Sequence, residues 1–343
     1  MRSRWKRLRY RLEWLGLLLA SKLIPLLSRE NCLRLARIVG AGALIVDRHY
    51  RKVALSNLEG AFGNQFSVKE RRKIVRESFQ NFARTLVDFF WSPNLTPENF
   101  SHFIKLQNFE ECVDAARQNR GLIIVCYHYG NFEWLSPACG FAGVRTTLVT
   151  QEFRNSLLDP IFRRVRERAG HEVIRRKGSM VHLYKALRRK GAIALLVDLT
   201  VRPRHGVAID CFGLKKSVTA AHAWLHERTG APIVPAHCEP LPKGRCRVIF
   251  HPKIDQTAGM THQQIAQACW NSFEPYVQEN PAPWLWMYKH WRYRPAHAGR
   301  AYPFYVRVSP AFEKITQREQ DSPIGEASEW PADKDAVAGN ARQ

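Results

Sequence analysis

The chain has 343 residues and a mass of 39.6 kDa, enough for one large domain or two of ordinary size. An apolar fraction of 45% excludes whole-chain disorder. The eight cysteines include no Cys-x-x-Cys pair, which excludes the usual zinc-ribbon and thioredoxin spacings and favours reduced thiols in a cytosolic compartment. Lys and Arg (53) outnumber Asp and Glu (30), and the net charge of +23 indicates a polyanionic partner: nucleic acid, an anionic lipid surface or a phosphorylated substrate.

The N-terminal residues 1–28 combine a basic flank with a short apolar run. Six of the first eleven residues are basic, and the apolar run 12–27 is interrupted by Glu13, Lys22 and Pro25. A spanning helix needs about twenty apolar residues, and no small-residue cleavage site follows the run as a signal peptide requires. The pattern favours a helix that anchors the protein in an anionic bilayer interface, with a spanning helix and an ordinary buried helix as alternatives. The basic flank predicts that the body lies on the cytoplasmic side.

Residues 29–309 form the predicted folded body. The stretch 29–91 has apolar residues at helical spacing and is predicted to be a helical lead-in. Over 92–309, β-branched runs alternate with helical segments, a pattern typical of an α/β domain with a mostly parallel central sheet flanked by helices. The predicted strands are 121–127, 192–197, 232–235 and 247–250, and the predicted helices are 156–170, 179–190 and 217–229. Residues 310–343 have few apolar anchors and are predicted to be a disordered tail.

Two of the predicted strands end in side chains that can do acid–base chemistry. His128 follows the first strand, with Glu133 a short turn later, and Asp198 follows the second strand. In open α/β sheets, ligands bind beyond the carboxyl ends of the strands. The His-x4-acid spacing is weak evidence by itself, because it occurs three times in this chain. Only the pair of His128 and Glu133 combines an incoming strand with a Gly-Asn turn.

This pair predicts general-base catalysis. The neutral imidazole of His128 takes a proton from an acceptor hydroxyl as that oxygen attacks a carbonyl. The carboxylate of Glu133 fixes the tautomer of the imidazole and stabilises the imidazolium that forms. The alternative is a histidine that only closes the strand through a hydrogen bond to the backbone.

The residues from His128 to Trp134 resemble the H-x4-D/E block of bacterial lipid A late acyltransferases and related glycerolipid acyltransferases. Further matching motifs occur in the family's order: Asn57-Leu58 with Ala61-Phe62, Arg154-Asn155 with Leu158-Asp159, Asp198, Phe212-Gly213, 229–235, and Pro283-Trp284-Leu285-Trp286 with His290-Trp291-Arg292. The resemblance covers residues 10–300. The chain departs from the family pattern at Leu199, where Gln or His is usual, and in the loop 218–222 near the expected substrate.

The resemblance implies a membrane-surface O-acyltransferase that moves a fatty acyl chain from an acyl thioester to a hydroxyl of a lipid A-type glycolipid or a lysophospholipid. It implies His128 and Glu133 as catalytic residues, and Asp198, Arg154 and Arg175 as substrate-binding residues. The implied donor is an acyl-acyl carrier protein or acyl-CoA, and the implied acceptor is phosphorylated. Neither a metal nor an organic cofactor is implied. The implied location is the cytoplasmic face of the inner membrane.

The rival hypothesis is a non-catalytic basic protein that binds anionic lipid or nucleic acid. The charge suits it equally well, but the sequence has no zinc finger and no RNP-like aromatic strand, so we predict no nucleic-acid partner. The rival also leaves the acid–base side chains at the strand ends unexplained. Cys126 is predicted to be a buried structural thiol, with a nucleophile as the alternative. Trp284 and Trp286 are predicted to be packing residues, with an interfacial belt as the alternative.

Overall fold

The computed structural model describes residues 2–321. The N-terminal region consists of four helices: α1 (Arg2–Leu23), α2 (Arg29–Val46), α3 (Arg48–Phe62) and α4 (Val68–Trp91). Local capping sets where these helices begin. At the start of α4 the Ser67 hydroxyl accepts the Glu70 N–H, and the Glu70 carboxylate accepts the Ser67 N–H, which forms a capping box. The apolar stripe predicted for 68–91 is the face that α4 buries against the sheet and against α2.

The remainder alternates strands and helices, as the sequence predicts. The strands are β1 (Ile104–Gln107), β2 (Leu122–Cys126), β3 (Thr146–Thr150), β4 (Glu172–Arg175), β5 (Ala192–Leu196), β6 (Val207–Cys211), β7 (Leu214–Val218), β8 (Ile233–Pro240), β9 (Cys246–Phe250), β10 (Tyr293–Arg294) and β11 (Arg307–Val308). The helices are α5 (Phe100–Phe103), α6 (Glu110–Arg117), α7 (Leu135–Phe141), α8 (Asp159–Glu167), α9 (Ser179–Arg188), α10 (Ala221–Thr229), α11 (His262–Asn271), α12 (Glu274–Glu279) and α13 (Pro310–Asp321).

Seven strands form the central sheet in the order β1-β9-β8-β2-β5-β3-β4. Every neighbouring pair is parallel except β8 and β9, which form an antiparallel pair. Strand β2 is fully buried, and its side chains alternate between two hydrophobic cores: Ile123 and Val125 point into one, Ile124 and Cys126 into the other. Burial on both faces explains why this strand is a continuous apolar run in the sequence. The predicted fold class, α/β with a mostly parallel sheet flanked by helices, is confirmed.

The first part of the predicted tail is a helix. Helix α13 places Phe312 in a fully buried position next to the Tyr293 ring, and Thr316 one turn later is also buried. One large apolar side chain that fits a cleft is enough to dock a short helix, and a count of apolar residues does not detect such a fit. The prediction for residues 322–343 lies outside the described residues.

Helix α1 has two faces. Tyr10, Leu17 and Ala20 face the body of the protein. At about 100° per residue the opposite face carries one apolar stripe, made of the exposed side chains Trp5, Leu8, Leu12, Leu15, Leu19, Leu23 and Leu26, the last just beyond the helix. Within residues 2–321, no helix combines the length and the apolar character needed to cross a bilayer.

Buried histidines make the stability of the fold sensitive to acid. Burial lowers the pKa of His222 and His237 to about 3 and that of His251 to about 4, and it also lowers the pKa of His171 and His290. In the unfolded chain a histidine takes up its proton near pH 6.5. The unfolded state therefore binds more protons below that pH, and stability falls as the pH falls from about 6.5 toward the folded-state values.

We predict that His222→Leu removes part of this acid sensitivity. Both ring nitrogens of His222 are buried without a hydrogen-bond partner, so leucine breaks no hydrogen bond. The loss of unfolding free energy between pH 8 and pH 5 should shrink by about 2 kcal/mol, since each such histidine contributes about 1.4 kcal/mol per pH unit below 6.5. Urea unfolding at several pH values measures this. His49→Leu, on the exposed surface of α3, is the control. A pH dependence of His222→Leu equal to that of the wild type would contradict the prediction.

Candidate active site

Strand register brings His128 and Asp198 together. β2 and β5 are parallel neighbours, and their last paired residues are Cys126 and Leu196. His128 and Asp198 each come two residues after this pair, so both lie at the carboxyl edge of the sheet. The His128 Nδ1 atom is 2.7 Å from Oδ1 of Asp198, and the His128 backbone N–H donates to Oδ2 at 3.0 Å. The sheet thus places an imidazole and a carboxylate in contact, where a ligand site is expected.

The Asp198 carboxylate is buried and receives only hydrogen-bond donors. Besides the two donors of His128, Nε1 of Trp284 donates to Oδ2 at 3.0 Å. Burial by itself would raise the pKa of Asp198, but His128 and Lys216 together hold it well below its usual range. An ionised carboxylate can only accept, so Nδ1 of the imidazole carries a hydrogen, and in the neutral ring the lone pair is then on Nε2. This tautomer is the one that a general base needs on its open side.

The turn after His128 is fixed from two sides. Gly130 has a φ of +57°, and a Cβ at this position would lie 1.8 Å from the carbonyl oxygen of Cys238 on β8. Only glycine fits here. A later loop runs antiparallel to the turn: the Gly130 N–H donates to the Pro283 carbonyl at 3.1 Å, and the Leu285 N–H donates to the His128 carbonyl at 3.1 Å. The same loop carries Trp284, so the turn after His128 and the indole that donates to Asp198 are held by one strand-like pairing.

Glu133 faces an arginine and not the imidazole. It lies in a 3₁₀ turn, and Arg166 of α8 donates to both of its carboxylate oxygens, at 2.7 and 3.2 Å. The guanidinium also lies over the rings of Phe89 and Phe162. This geometry corrects the expectation that Glu133 fixes the tautomer of His128, because Asp198 occupies Nδ1. The reason is that the two strand ends lie side by side, whereas the 3₁₀ turn aims Glu133 at the neighbouring helix.

A second buried carboxylate holds the far end of the turn. Asp88, near the end of α4, accepts hydrogen bonds from Arg29 at 2.7 Å, from Asn131 at 2.8 Å and from Arg84 at 3.3 Å. Its backbone carbonyl accepts the indole N–H of Trp134 at 3.1 Å. The N-terminal helices and the segment 128–134 are therefore one hydrogen-bonded unit.

The two arginines predicted to bind anions lie on the surface. Arg175 ends β4 at the same edge of the sheet, with a side chain that is 74% exposed and 3.3 Å from Glu152. Arg154 is exposed in the loop after β3. Its neighbour Asn155 is buried and donates to the Tyr10 carbonyl of α1 at 2.9 Å. The loop that carries Arg154 is thus attached to the N-terminal helix. Neither arginine belongs to the hydrogen-bond set of His128 and Asp198, so an anion-binding role stays a prediction.

Other side chains with reactive groups, the cysteines and His226, are buried. The eight cysteines are free and buried, and burial raises the pKa of the Cys126 thiol well above its usual range, which disfavours a thiolate nucleophile. Both ring nitrogens of His226 are occupied, one by the Ala231 carbonyl and one by the Thr257 hydroxyl. In the part of the chain that the structure describes, no group of three or more His, Cys, Asp or Glu side chains is placed to hold a metal ion.

The roles of some residues around His128 and Asp198 cannot be identified from the sequence. Trp284 and Trp286 are fully buried, which confirms their packing role, but the hydrogen bond from Trp284 to Asp198 was not foreseen. Charged residues are normally solvated, and nothing local in the sequence marks Asp88 and Lys216 as fully buried. Arg166 was one of several arginines in a basic segment, and only the fold separates it from the others.

Comparison with known proteins identifies relatives of this chain. The family model for bacterial lipid A biosynthesis acyltransferases matches residues 2–293. A lipid A biosynthesis lauroyltransferase of Escherichia coli is 23% identical over 306 residues, which cover 84% of this chain and 93% of the relative. A lipid A biosynthesis palmitoleoyltransferase of the same organism is 22% identical, with 86% and 95% covered. A phosphatidylinositol mannoside acyltransferase of Mycobacterium tuberculosis is 28% identical over half of this chain and 54% of the relative.

These relatives share one class of reaction, the transfer of an acyl group. The match to the family model extends from the N-terminal helices to the loop that pairs with the turn after His128. This chain belongs to the bacterial lipid A biosynthesis acyltransferase family, and it is an acyltransferase.

Proposed function

We propose that this acyltransferase moves a fatty acyl chain from a thioester to a hydroxyl group of a lipid A-type glycolipid or a lysophospholipid, with His128 as the general base. The observation that carries the proposal is the contact between His128 Nδ1 and the buried Asp198 carboxylate. It leaves Nε2 as the basic nitrogen, on a ring whose side chain is 12% exposed. A base of this kind activates a hydroxyl without any cofactor.

The proposed reaction proceeds through a tetrahedral intermediate. Nε2 of His128 takes the proton of the acceptor hydroxyl while the hydroxyl oxygen attacks the thioester carbonyl carbon. The intermediate collapses, the carbon–sulfur bond breaks, and the imidazolium returns the proton to the departing thiolate sulfur. Asp198 stabilises the transient imidazolium, as the aspartate of a serine protease triad does. The products are an ester and a free thiol, and His128 is neutral again.

We assign to Glu133 the task of holding Arg166 beside the catalytic turn. The ion pair is bidentate, and the two side chains are only 17% and 21% exposed. A guanidinium fixed in this way can receive a phosphate or a developing negative charge, whereas a free arginine would first have to be ordered. Arg154 and Arg175, on the surface of the same edge, are proposed to meet the anionic parts of the substrates. The donor is an acyl-acyl carrier protein or acyl-CoA, and both are acidic.

The exposed stripe of α1 supports attachment to an anionic membrane. Apolar side chains arranged along one face of a helix, with basic residues beside them, insert at the boundary between lipid headgroups and acyl chains. Each nearby basic residue adds about 1 kcal/mol on an anionic surface. The buried Asn155 couples this helix to the loop next to the site, so attachment would bring the site to the lipid surface. The proposed location is the cytoplasmic face of the inner membrane.

We predict that His128→Gln lowers kcat by about 10²- to 10⁴-fold, the usual cost of losing a general base. Asp198→Asn should cost about as much, because three donors converge on the carboxylate and an amide would turn a donor toward one of them. Thioester consumption and lipid product, measured together, check this. The control is His182→Gln on the exposed side of α9. Near wild-type turnover in His128→Gln would refute the proposed mechanism.

The double variant tests whether the two residues act as one unit. We expect His128→Gln combined with Asp198→Asn to be no slower than His128→Gln alone, because without the base its partner has nothing to orient. A loss equal to the product of the two single losses would mean that Asp198 acts independently of His128.

Membrane attachment is tested on the exposed stripe without deleting α1. Leu12→Glu with Leu19→Glu places two carboxylates on the apolar face and disturbs no buried contact, since the two leucines are 59% and 50% exposed. Binding to vesicles of anionic phospholipid should fall at least about tenfold, because apolar burial is lost and like charges meet. Val181→Glu on α9, which is 57% exposed, is the matched control. Equal sedimentation of the double variant and the control with the vesicles would locate the attachment elsewhere.

A further inference from the structure

Lys216 is a fully buried lysine directly behind Asp198. It lies on β7 with no solvent exposure, and its Nζ atom donates to the backbone carbonyl of Asp198 at 2.6 Å. Nζ also lies 3.1 Å from Nδ1 of His290. The ammonium group is enclosed by three indole rings, with centroids 5.1 to 5.9 Å away: Trp270, Trp284 and Trp291. A charged side chain is rarely buried to this extent unless another charge requires it.

We propose that Lys216 is a positioning residue that balances the charge of Asp198 and thereby keeps His128 neutral between catalytic cycles. The proposal rests on the proposed function of His128 as a base. A buried carboxylate needs a positive charge nearby, because an uncompensated charge in a low-dielectric interior is costly. Two groups next to Asp198 can supply it, Lys216 and the imidazole itself. If the imidazole supplied it, His128 would be a cation at rest and could not accept a proton.

The other groups around the ammonium do not replace it. His290 is neutral, because burial lowers its pKa well below the usual range. Its Nε2–H donates to the Leu285 carbonyl at 2.8 Å, so Nδ1 is free to accept from Lys216. The thiol of Cys211 is also neutral, since burial raises its pKa well above the usual range. These neighbours add no positive charge.

Glu274 of α12 is the other acid that acts on Lys216. It is half-buried, and its carboxylate accepts hydrogen bonds from the Phe212 N–H at 2.8 Å and from the Trp270 indole. Burial lowers the pKa of Lys216, and the carboxylates of Asp198 and Glu274 oppose this effect. Of the two carboxylates, Asp198 has less access to water and depends more on the buried ammonium.

The arrangement also connects Lys216 to the orientation of Asp198. The Trp284 ring stacks on His290 with centroids 3.8 Å apart, and the same indole donates to Oδ2 of Asp198. The Thr200 hydroxyl donates to the His290 carbonyl, which connects the stacked rings of Trp284 and His290 to the loop after β5. The stacked rings of Trp284 and His290 therefore form a layer between two groups. The ammonium of Lys216 lies on one side of this layer, and the imidazole of His128 lies on the other.

The test is the pH dependence of kcat in Lys216→Met, a substitution of similar length without charge. We expect the acid limb of the profile to move to higher pH by about one unit or more, since His128 must then compensate Asp198 by keeping a proton. At a pH on the sloping part of the wild-type acid limb this gives a loss of about tenfold or more, and most of the rate should return on the alkaline plateau, with little change in KM. Lys215→Met is the matched control. Lys215 is the preceding residue on the same strand, and it pairs with Asp210 at 3.1 Å on the hairpin surface.

An unchanged acid limb with a uniformly lower plateau would mean that Lys216 only supports the fold, and the proposal would be abandoned. Failure of the wild type to transfer any acyl group would instead remove the proposed function, so the two failures are distinguishable. If Lys216→Met does not fold, nitrogen NMR of the histidine rings in the wild-type protein tests whether His128 is neutral at rest. The signals of His128, identified by their loss in His128→Gln, should show a neutral ring with hydrogen on Nδ1 at pH 7.5, and an imidazolium there would overturn the proposal.

Discussion

The burial of one ionised carboxylate, Asp198, determines much of the architecture around the site. A carboxylate without access to water destabilises a fold unless donors and a positive charge surround it. Three donors meet its two oxygens, and the ammonium of Lys216 lies behind its backbone. These contacts require β2, β5, β7 and the loop that carries Trp284 to meet at one place. The imidazole that Asp198 orients is the only one of these partners with access to the surface.

The N-terminal helices contribute to the same site from the other direction. Asn57 of α3 donates to the backbone carbonyls of Trp286 and Tyr288, both at 2.7 Å, and the Ser78 hydroxyl of α4 donates to the Trp284 carbonyl at 2.7 Å. The loop held by these bonds pairs with the turn that follows the base. Segments that are far apart in the chain, around residues 57 and 286, are thus parts of one support. The helical lead-in is an integral part of the unit that holds His128 and not a separate attachment.

The histidines illustrate how the same residue type serves opposite purposes. His222, His237 and His290 are buried, and their low pKa values keep them neutral as parts of the core. These histidines lower the free energy of unfolding only in acid, where the unfolded chain binds protons that the buried rings do not bind. His128 differs because one nitrogen is held by a carboxylate and its ring reaches the surface of the sheet edge. Position at a strand end, and not residue type, distinguishes the proposed base from a core histidine.

The sequence alone determined the fold class and the place of the site. The continuous apolar runs of β2 and β5 identify buried parallel strands, and in such sheets the residues just after the strands share one edge. His128 and Asp198 were predictable for this reason. Periodicity and strand ends are local properties, so they can be read before the chain is folded.

Tertiary structure alone decided which carboxylate serves the histidine. The spacing in the chain favoured Glu133, but the register of β2 and β5 places Asp198 on Nδ1, and α8 supplies Arg166 as the partner of Glu133. The buried charges of Asp88 and Lys216 and the docking of α13 through Phe312 were likewise invisible in the sequence. Each of them depends on which distant side chains surround a residue, because burial and charge balance are properties of the assembled interior and not of any one segment.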